Sequence, residues 1–253
     1  PCPPATTTPP APGASSVVRF GPSIRMSRRS RRGPNLTTEV APGAGGLVVA
    51  MGQVLGCFEA PWIGIRPSGK LVHLPFVAFY RVEDGRVTEV FEFLDILSVM
   101  TQAGQNPLAH LQTGAQIMAP GPVTHDGLGP HDPGESAATH ALCQAMLDDL
   151  ITDLRSPVEH LERFWHPDMT WFGPAGIGAS VTIPGYRKGH TGPWEERLTL
   201  VDHGPCLAGV AEGQFAAYCW RPGPHMRSLG GFLELPPGKT GEIRVVDVYR
   251  RAG

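Results

Sequence analysis

Two carboxylates on one apolar strand face are the first chemical signal in this chain. In the alternating segment Arg86 to Asp95, the residues Val87, Glu89, Phe91, Phe93 and Asp95 share a face. A carboxylate buried among apolar side chains is costly and its pKa rises toward neutrality, as a proton-shuttling group requires. Six residues at about 3.3 Å each separate the two by about 20 Å, too far for a dyad, so their roles differ. Asp95 is read as a catalytic acid/base, with capping of the turn at Ile96 to Thr101 as the alternative. Glu89 is read as structural, paired with a sheet neighbour such as Arg81. A second group comprises Trp171, Tyr186, His190 and Asp247. An imidazole flanked by aromatics can polarise a carbonyl, which makes His190 the second catalytic candidate, a hydrogen-bonded loop residue being the alternative. Asp247 alternates with Val245 and Tyr249 and faces either a pocket or solvent. The expected pocket lining is Trp62, Phe91, Phe93, Trp171, Tyr186 and Asp247.

Other patterns carry less. The run Gly173-Pro174-Ala175-Gly176-Ile177-Gly178 has the wrong spacing for a nucleotide-binding glycine motif and contains no Lys. His125, Asp126, His131 and Asp132 resemble metal ligands but lie in a segment without helical or strand spacing, so neither metal nor cofactor is expected. The five cysteines include no C-x-x-C pair and read as free thiols in a reducing compartment, hence a cytoplasmic protein. With 21 basic residues against 23 acidic ones, a basic nucleic-acid module is excluded. No apolar run reaches the ~18 to 20 residues that would cross a bilayer, so no membrane partner is expected.

The elements that would position these residues fall into blocks. Residues 1 to 46 are rich in Pro, Thr, Ser and Gly, contain Arg28-Arg29-Ser30-Arg31-Arg32, and read as a solvated or non-native tail. From residue 47 to 105 three strands follow, at Leu47 to Phe58, Leu71 to Val82 and Arg86 to Asp95, the last two joined by a tight Asp84-Gly85 hairpin. Residues 106 to 134 read as a linker. In residues 135 to 253, a helix is expected over Ser136 to Leu154 from the stripe Leu142, Met146, Leu150 and Leu154. A second helix opens with the capping box Ser156-Pro157-Val158-Glu159 and buries Leu161, Phe164 and Trp165. A short helix near Tyr186 to Leu198 and strands near Cys206 to Trp220, Ser228 to Leu235 and Glu242 to Arg250 complete an α+β chain.

An internal repeat organises these blocks. Pro67-Ser68-Gly69-Lys70 precedes Tyr80-Arg81 as Pro236-Pro237-Gly238-Lys239 precedes Tyr249-Arg250, at a constant offset (239 − 70 = 249 − 80 = 169). Two tandem α+β units are therefore expected, the first without upstream helices and the second without a last strand, so that the chain reads as incomplete at both ends.

The first unit also resembles a known family. Trp62-Ile63-Gly64-Ile65, Pro67-x-Gly69-Lys70, Phe79-Tyr80-Arg81-Val82-Glu83-Asp84-Gly85-Arg86-Val87-x-Glu89, Phe93-Leu94-Asp95 and Gln102-x-Gly104 are similar to the C-terminal half of SnoaL-like polyketide cyclases, or ester cyclases, of the nuclear transport factor 2-like superfamily. Trp165-His166-Pro167-Asp168-Met169-x-Trp171 with Gly173 to Gly178, Ile183-Pro184-Gly185-Tyr186 and His190 is similar to the N-terminal half of tandem members. The resemblance implies cone-shaped units, each a curved antiparallel sheet wrapped on helices around an apolar pocket. It implies cofactor-independent cyclisation of a hydrophobic ester or carbonyl compound, an aspartate acid/base at the position of Asp95, and a homodimer through a sheet face. A non-catalytic binding or assembly module of the same fold is the competing reading.

Overall fold

Runs of β-branched and aromatic residues bounded by Gly, Pro and Asp become long strands in the first part of the chain. The computed structural model describes residues 17–20, 24–25, 46–117, 132–150, 155 and 157–252. Strands β1 (Val17–Phe20), β2 (Ile24–Arg25), β3 (Gly46–Cys57), β4 (Leu71–Glu83) and β5 (Arg86–Leu94) form one sheet in the order β1-β3-β4-β5, with β2 also on β3. The meander β3-β4-β5 is antiparallel, whereas β1 and β2 lie parallel to β3. Asp84 and Gly85 join β4 to β5 with φ of 49° and 72°, the positive values that a two-residue hairpin turn of matching twist needs. The register sets Arg81 opposite Glu89, and the two form the expected ion pair at 3.0 Å. The stretch read as a tail thus contains two short strands, because the outer edge of β3 offers unpaired N–H and C=O groups to extended chain. Cys2, Arg28 to Arg32, His125, Asp126, His131, Leu154 and Ser156 lie outside the described residues.

Helix α1 (Ile96–Gln102) follows β5 and folds back on β4. Phe58, Ile65 and Val99 form a buried cluster, with Trp62, Val72, Leu74 and Met100 packed on it. At this end β4 runs past β5, and the Gln102 amide takes the place of a strand: it accepts from the His73 N–H at 2.9 Å and donates to the His73 C=O at 2.7 Å. The neighbouring turn closes with reciprocal Trp62–Ile65 backbone bonds and holds Ile63 at φ 45°. A β-branched residue is strained there, and Ile63 is 62% exposed, so its side chain gains little by burial. Ile63→Asn is expected to stabilise the chain by about 1 kcal/mol, and an unchanged urea midpoint would contradict the strain.

Among the described residues, 111–117 and those from 132 onward belong to a second compact unit. Its helices are α2 (Pro133–Leu150) and α3 (Val158–Leu161), followed by the hairpin β6 (Thr170–Phe172) and β7 (Ala179–Val181). One continuous helix comes next: α4 (Ile183–Tyr186), a π-helical stretch (Arg187–Thr191) and α5 (Gly192–Arg197). Strands β8 (Leu198–Asp202), β9 (Cys206–Glu212), β10 (Phe215–Trp220), β11 (His225–Ser228), β12 (Thr240–Glu242) and β13 (Val245–Arg250) make two antiparallel three-stranded sheets, β13-β10-β9 and β12-β11-β8. Both units mix helices with antiparallel sheet, so the fold is α+β.

Several expectations shift here for physical reasons. The stripe at every fourth position drifts around a helix of 3.6 residues per turn, so Leu142 is left 39% exposed. The packed face of α2 keeps Met146 and Leu150 of that stripe and adds Thr139, Cys143 and Leu147, with i, i+4, i+7, i+8 and i+11 spacing. Part of the expected linker is structured: Gly114 donates to the Ile177 C=O at 2.7 Å and Ala179 donates to the Ala115 C=O at 2.7 Å, which adds this segment to the β6–β7 hairpin. The strand expected over Ser228 to Leu235 ends at Ser228, because Gly230, Gly231, Leu233 and Glu234 all take positive φ. At the matching places of the repeat, Gly69 and Gly238 have φ of 67° and 85° and each leads into a strand.

A polar staple ties α2 to the sheet. Thr139, fully buried, donates to the Gly213 C=O at 2.6 Å and accepts from Arg251 Nε at 2.9 Å, while Ser136 Oγ accepts from the Gly213 N–H at 2.9 Å. Thr139→Val keeps the shape but orphans a buried carbonyl and a guanidinium donor, and is expected to cost about 1–3 kcal/mol by urea denaturation.

Candidate functional site

Asp95 ends β5 and opens α1. Its Oδ1 accepts from the Ser98 N–H at 3.0 Å, the N-cap bond that satisfies a helix donor with no intrahelical partner. The capping alternative is therefore the one the geometry displays. Phe91 is buried and Phe93 half-buried, the latter edge-on to Phe79 at 6.5 Å. Trp62 packs beneath α1. These four expected site residues belong to the first unit, and their neighbours are those of a packed sheet and helix.

The second unit brings the remaining four candidates together. Val245, Asp247 and Tyr249 alternate along β13, and the register places Tyr218 of β10 directly opposite Asp247. Tyr218, Trp220, Val245 and Tyr249 belong to the core cluster that α2 covers with Cys143, Met146 and Leu147, so Asp247 faces the core rather than solvent. Gly209 on β9, opposite Tyr218, leaves room for its ring, since a Cβ there would lie 2.7 Å from it. Burial pushes the Asp247 carboxyl up to about 6, partly offset by a hydrogen bond from the Tyr249 hydroxyl. Burial, then the Asp247 charge, hold the Tyr249 and Tyr186 phenols above their ordinary range and therefore protonated. The Cys143 thiol is pushed up to about 11 by burial and is no nucleophile at neutral pH.

Tyr186, whose phenol feels the Asp247 charge, also touches the aromatic cage around His190. The His190 ring stacks on Trp171 at 4.3 Å with an interplanar angle of 15°, and meets Tyr186 and Trp194 edge-on at 5.3 and 5.0 Å. Trp165 closes on Tyr186 at 4.6 Å. The helix from Ile183 to Arg197 supplies Tyr186, His190 and Trp194, and its π-helical stretch includes His190. Such stretches are frequent at functional sites. The stretch is braced by a two-pronged Arg187–Glu195 ion pair, with Nη2 to Oε2 at 3.0 Å. Among aromatic faces the imidazole is desolvated and its pKa falls to about 4, so His190 is neutral at pH 7. Its buried Nδ1 has no hydrogen-bond partner among the described residues.

A half-open cleft of about 380 Å³ lies on the same unit, bordered by Thr113, Trp171, Ile177, Ser180, Gly185 and Lys188. The Gly173–Gly178 run serves packing next to it: a Cβ on Gly173 would run into the Trp171 indole, and one on Gly178 into the Gly114 carbonyl. Among the described residues no group of three or more His, Cys, Asp or Glu side chains is placed to hold a metal ion. No helix among them is long and apolar enough to cross a membrane.

Part of the chain resembles a known family. Residues 25–103 match the model of the SnoaL-like polyketide cyclase family. No curated protein matches the chain, and no solved structure does. The SnoaL-like segment runs from β2 through α1 and contains Trp62, Phe91, Phe93 and Asp95, while Tyr186, His190 and Asp247 fall beyond it. The antiparallel sheet and helices are consistent with the nuclear transport factor 2-like fold to which SnoaL-like domains belong. Two residues that the SnoaL-like motifs share have structural tasks here, Asp95 at the α1 cap and Gln102 on the β4 edge. Tyr249 was visible in the sequence as a repeat marker and a neighbour of Asp247, but Tyr218 was not. Every residue of β10 is buried, so its pattern shows no preferred face.

Proposed function

We propose that this chain is a cofactor-independent enzyme of the cyclase or isomerase type, acting on a hydrophobic carbonyl or ester compound, with its acid/base group at Asp247. The observation that carries this reading is the half-buried, desolvated Asp247 carboxyl on the core side of β13, set against Tyr249 and Tyr186 phenols that burial keeps protonated. Above about pH 6 the Asp247 carboxylate removes a proton from the carbon next to the substrate carbonyl, and the electron pair moves onto the carbonyl oxygen as an enolate. A protonated phenol donates to that oxygen, where the charge develops. In an isomerase the proton returns at another carbon. In a cyclase the enolate carbon attacks a second carbonyl, one carbon–carbon bond forms, and the new alkoxide takes the proton back. His190, neutral at pH 7, is proposed to orient the carbonyl from within its aromatic cage. The two units are proposed to be tandem copies of one SnoaL-like unit, on the constant offset of the repeat and the match over residues 25–103.

Asp95 favours a different reading for the first unit, that of a non-catalytic binding or assembly module, because its carboxylate caps α1. The test is turnover of aromatic polyketide esters and steroid-like ketones by the full chain and by Asp247→Asn and Asp95→Asn, with thermal melts recorded alongside. Loss of turnover in Asp247→Asn with ligand-induced stabilisation retained supports the reading. Turnover that survives Asp247→Asn and is lost in Asp95→Asn overturns it.

A further inference from the structure

We propose that the cleft beside Trp171 binds a planar aromatic carboxylate. The cleft lies between the β6–β7 hairpin, the Thr113–Gly114 segment added to it, and the helix that starts at Ile183. Its volume of about 380 Å³ lies within the range of small-molecule sites and suits a two-ring ligand.

Four observations from different elements agree on the ligand. Trp171 of β6, half-buried and stacked on His190 on one face, lines the cleft and gives it an aromatic border for a flat ring. Ser180 of β7 has a buried hydroxyl oxygen with no hydrogen-bond partner among the described residues, although buried hydroxyls normally have one. Lys188 borders the cleft, is exposed, and makes no ion pair among the described residues, while the adjacent Arg187 is held by Glu195. Gly185 and Gly189, one turn apart, form part of the wall. Neither takes positive φ, and added Cβ atoms would meet nothing closer than 3.5 and 3.8 Å. Neither backbone nor packing requires glycine at these two places, and glycine is a poor helix former. What their missing side chains provide is an open wall.

These groups discriminate by chemistry. A neutral apolar ligand leaves Lys188 and Ser180 unused, a cation is repelled by Lys188, and a bare inorganic anion makes no use of Trp171. A planar aromatic carboxylate lays its ring against Trp171, pairs with the Lys188 ammonium and accepts from the Ser180 hydroxyl once that side chain rotates toward the cleft. Because the Trp171 ring also stacks on His190, a bound ligand lies one aromatic ring from the caged imidazole. The site is independent of the proposed catalysis, and its test reads binding alone.

The test is isothermal titration of the full chain with 2-naphthoate and with its neutral isostere 2-naphthamide. The expected result is one site for naphthoate, with the amide about fivefold weaker, as for a partly exposed ion pair. Lys188→Gln weakens naphthoate by about the same factor and leaves the amide unchanged. Gly189→Leu fills the cleft and abolishes binding of both. Absence of naphthoate binding at millimolar concentration, equal affinity for acid and amide, or full binding in a folded Gly189→Leu overturns the proposal. Should Gly189→Leu fail to fold, the exposed Lys188→Gln decides: naphthoate affinity equal to that of the unaltered chain is the overturning result.

Discussion

Asp247→Asn makes the protein more stable at pH 8, by about 3 kcal/mol, and at the same time removes its turnover. A carboxyl that titrates at 3.8 when unfolded and at about 6 when folded binds its proton more tightly in the folded state. Relative to its protonated form the group costs nothing below pH 3.8; the penalty grows as the pH rises through the folded value of about 6 and levels off at about 3 kcal/mol above it. Asparagine keeps the shape and an acceptor for the Tyr249 hydroxyl but has no charge to desolvate. The stability difference between variant and parent should be near zero at pH 4 and open to its full size by pH 7. Urea denaturation at pH 4, 5, 6, 7 and 8 measures it. Equal stability at pH 8 would place Asp247 in water and remove the basis for its proposed role.

His190 acts in the opposite sense. Its folded pKa of about 4 lies below the ordinary 6.5, so the folded state binds fewer protons. Its contribution is full above pH 6.5 and is lost as the pH falls toward 4. Between about pH 4 and 6 the two groups oppose each other: folding neutralises a carboxylate and an imidazolium together, with no net proton exchanged. Their summed contribution is therefore nearly flat over that window in the parent chain. Asp247→Asn exposes the His190 slope, and its stability rises with pH from about 4 to 6.5.

Leu161→Ala is expected to have a comparable effect of opposite sign. Leu161 is fully buried and packs with Ile183 and Tyr186, with Trp165, Met169 and Trp171 around them. Removing its branched end leaves a cavity that rigid aromatic neighbours cannot collapse into, at a cost of about 2–5 kcal/mol. The same urea titration at pH 7 reads it, and a loss below about 1 kcal/mol would mean that Tyr186 and its neighbours close over the gap.

How far these features could be read beforehand depended on the source of each signal. β3, β4, β5 and the Asp84-Gly85 turn follow from local pattern and turn chemistry, and the structure places them within a residue or two of expectation. The Arg81–Glu89 pair followed from strand pairing. Asp95 was ambiguous because a strand-end carboxylate suits both proton transfer and a helix cap, and the structure displays the cap through the bond from Ser98. The grouping of Trp171, Tyr186 and His190 was legible from the motif resemblance over residues 165–190 and from their residue types. Asp247 was grouped with them, but which way it faces was open, because that depends on the packing of β13 under α2. The α2 face was legible in part: Met146 and Leu150 pack as the stripe implies, but Leu142 does not, because every fourth residue is a poor proxy for a period of 3.6.

The Gln102 bridge to β4 has a consequence for association. On the side of β4 away from β3, the His73 N–H and C=O are both occupied by Gln102, and the Pro75 carbonyl accepts from the Asp95 N–H. Pro75 has no N–H to offer. The overhanging edge of β4 therefore presents neither donor nor acceptor at these two residues to an intruding strand, a built-in guard against edge-to-edge aggregation. On this side of the sheet strand addition is left to the outer edge of β5, a strand that also carries the exposed Val87 and Val90.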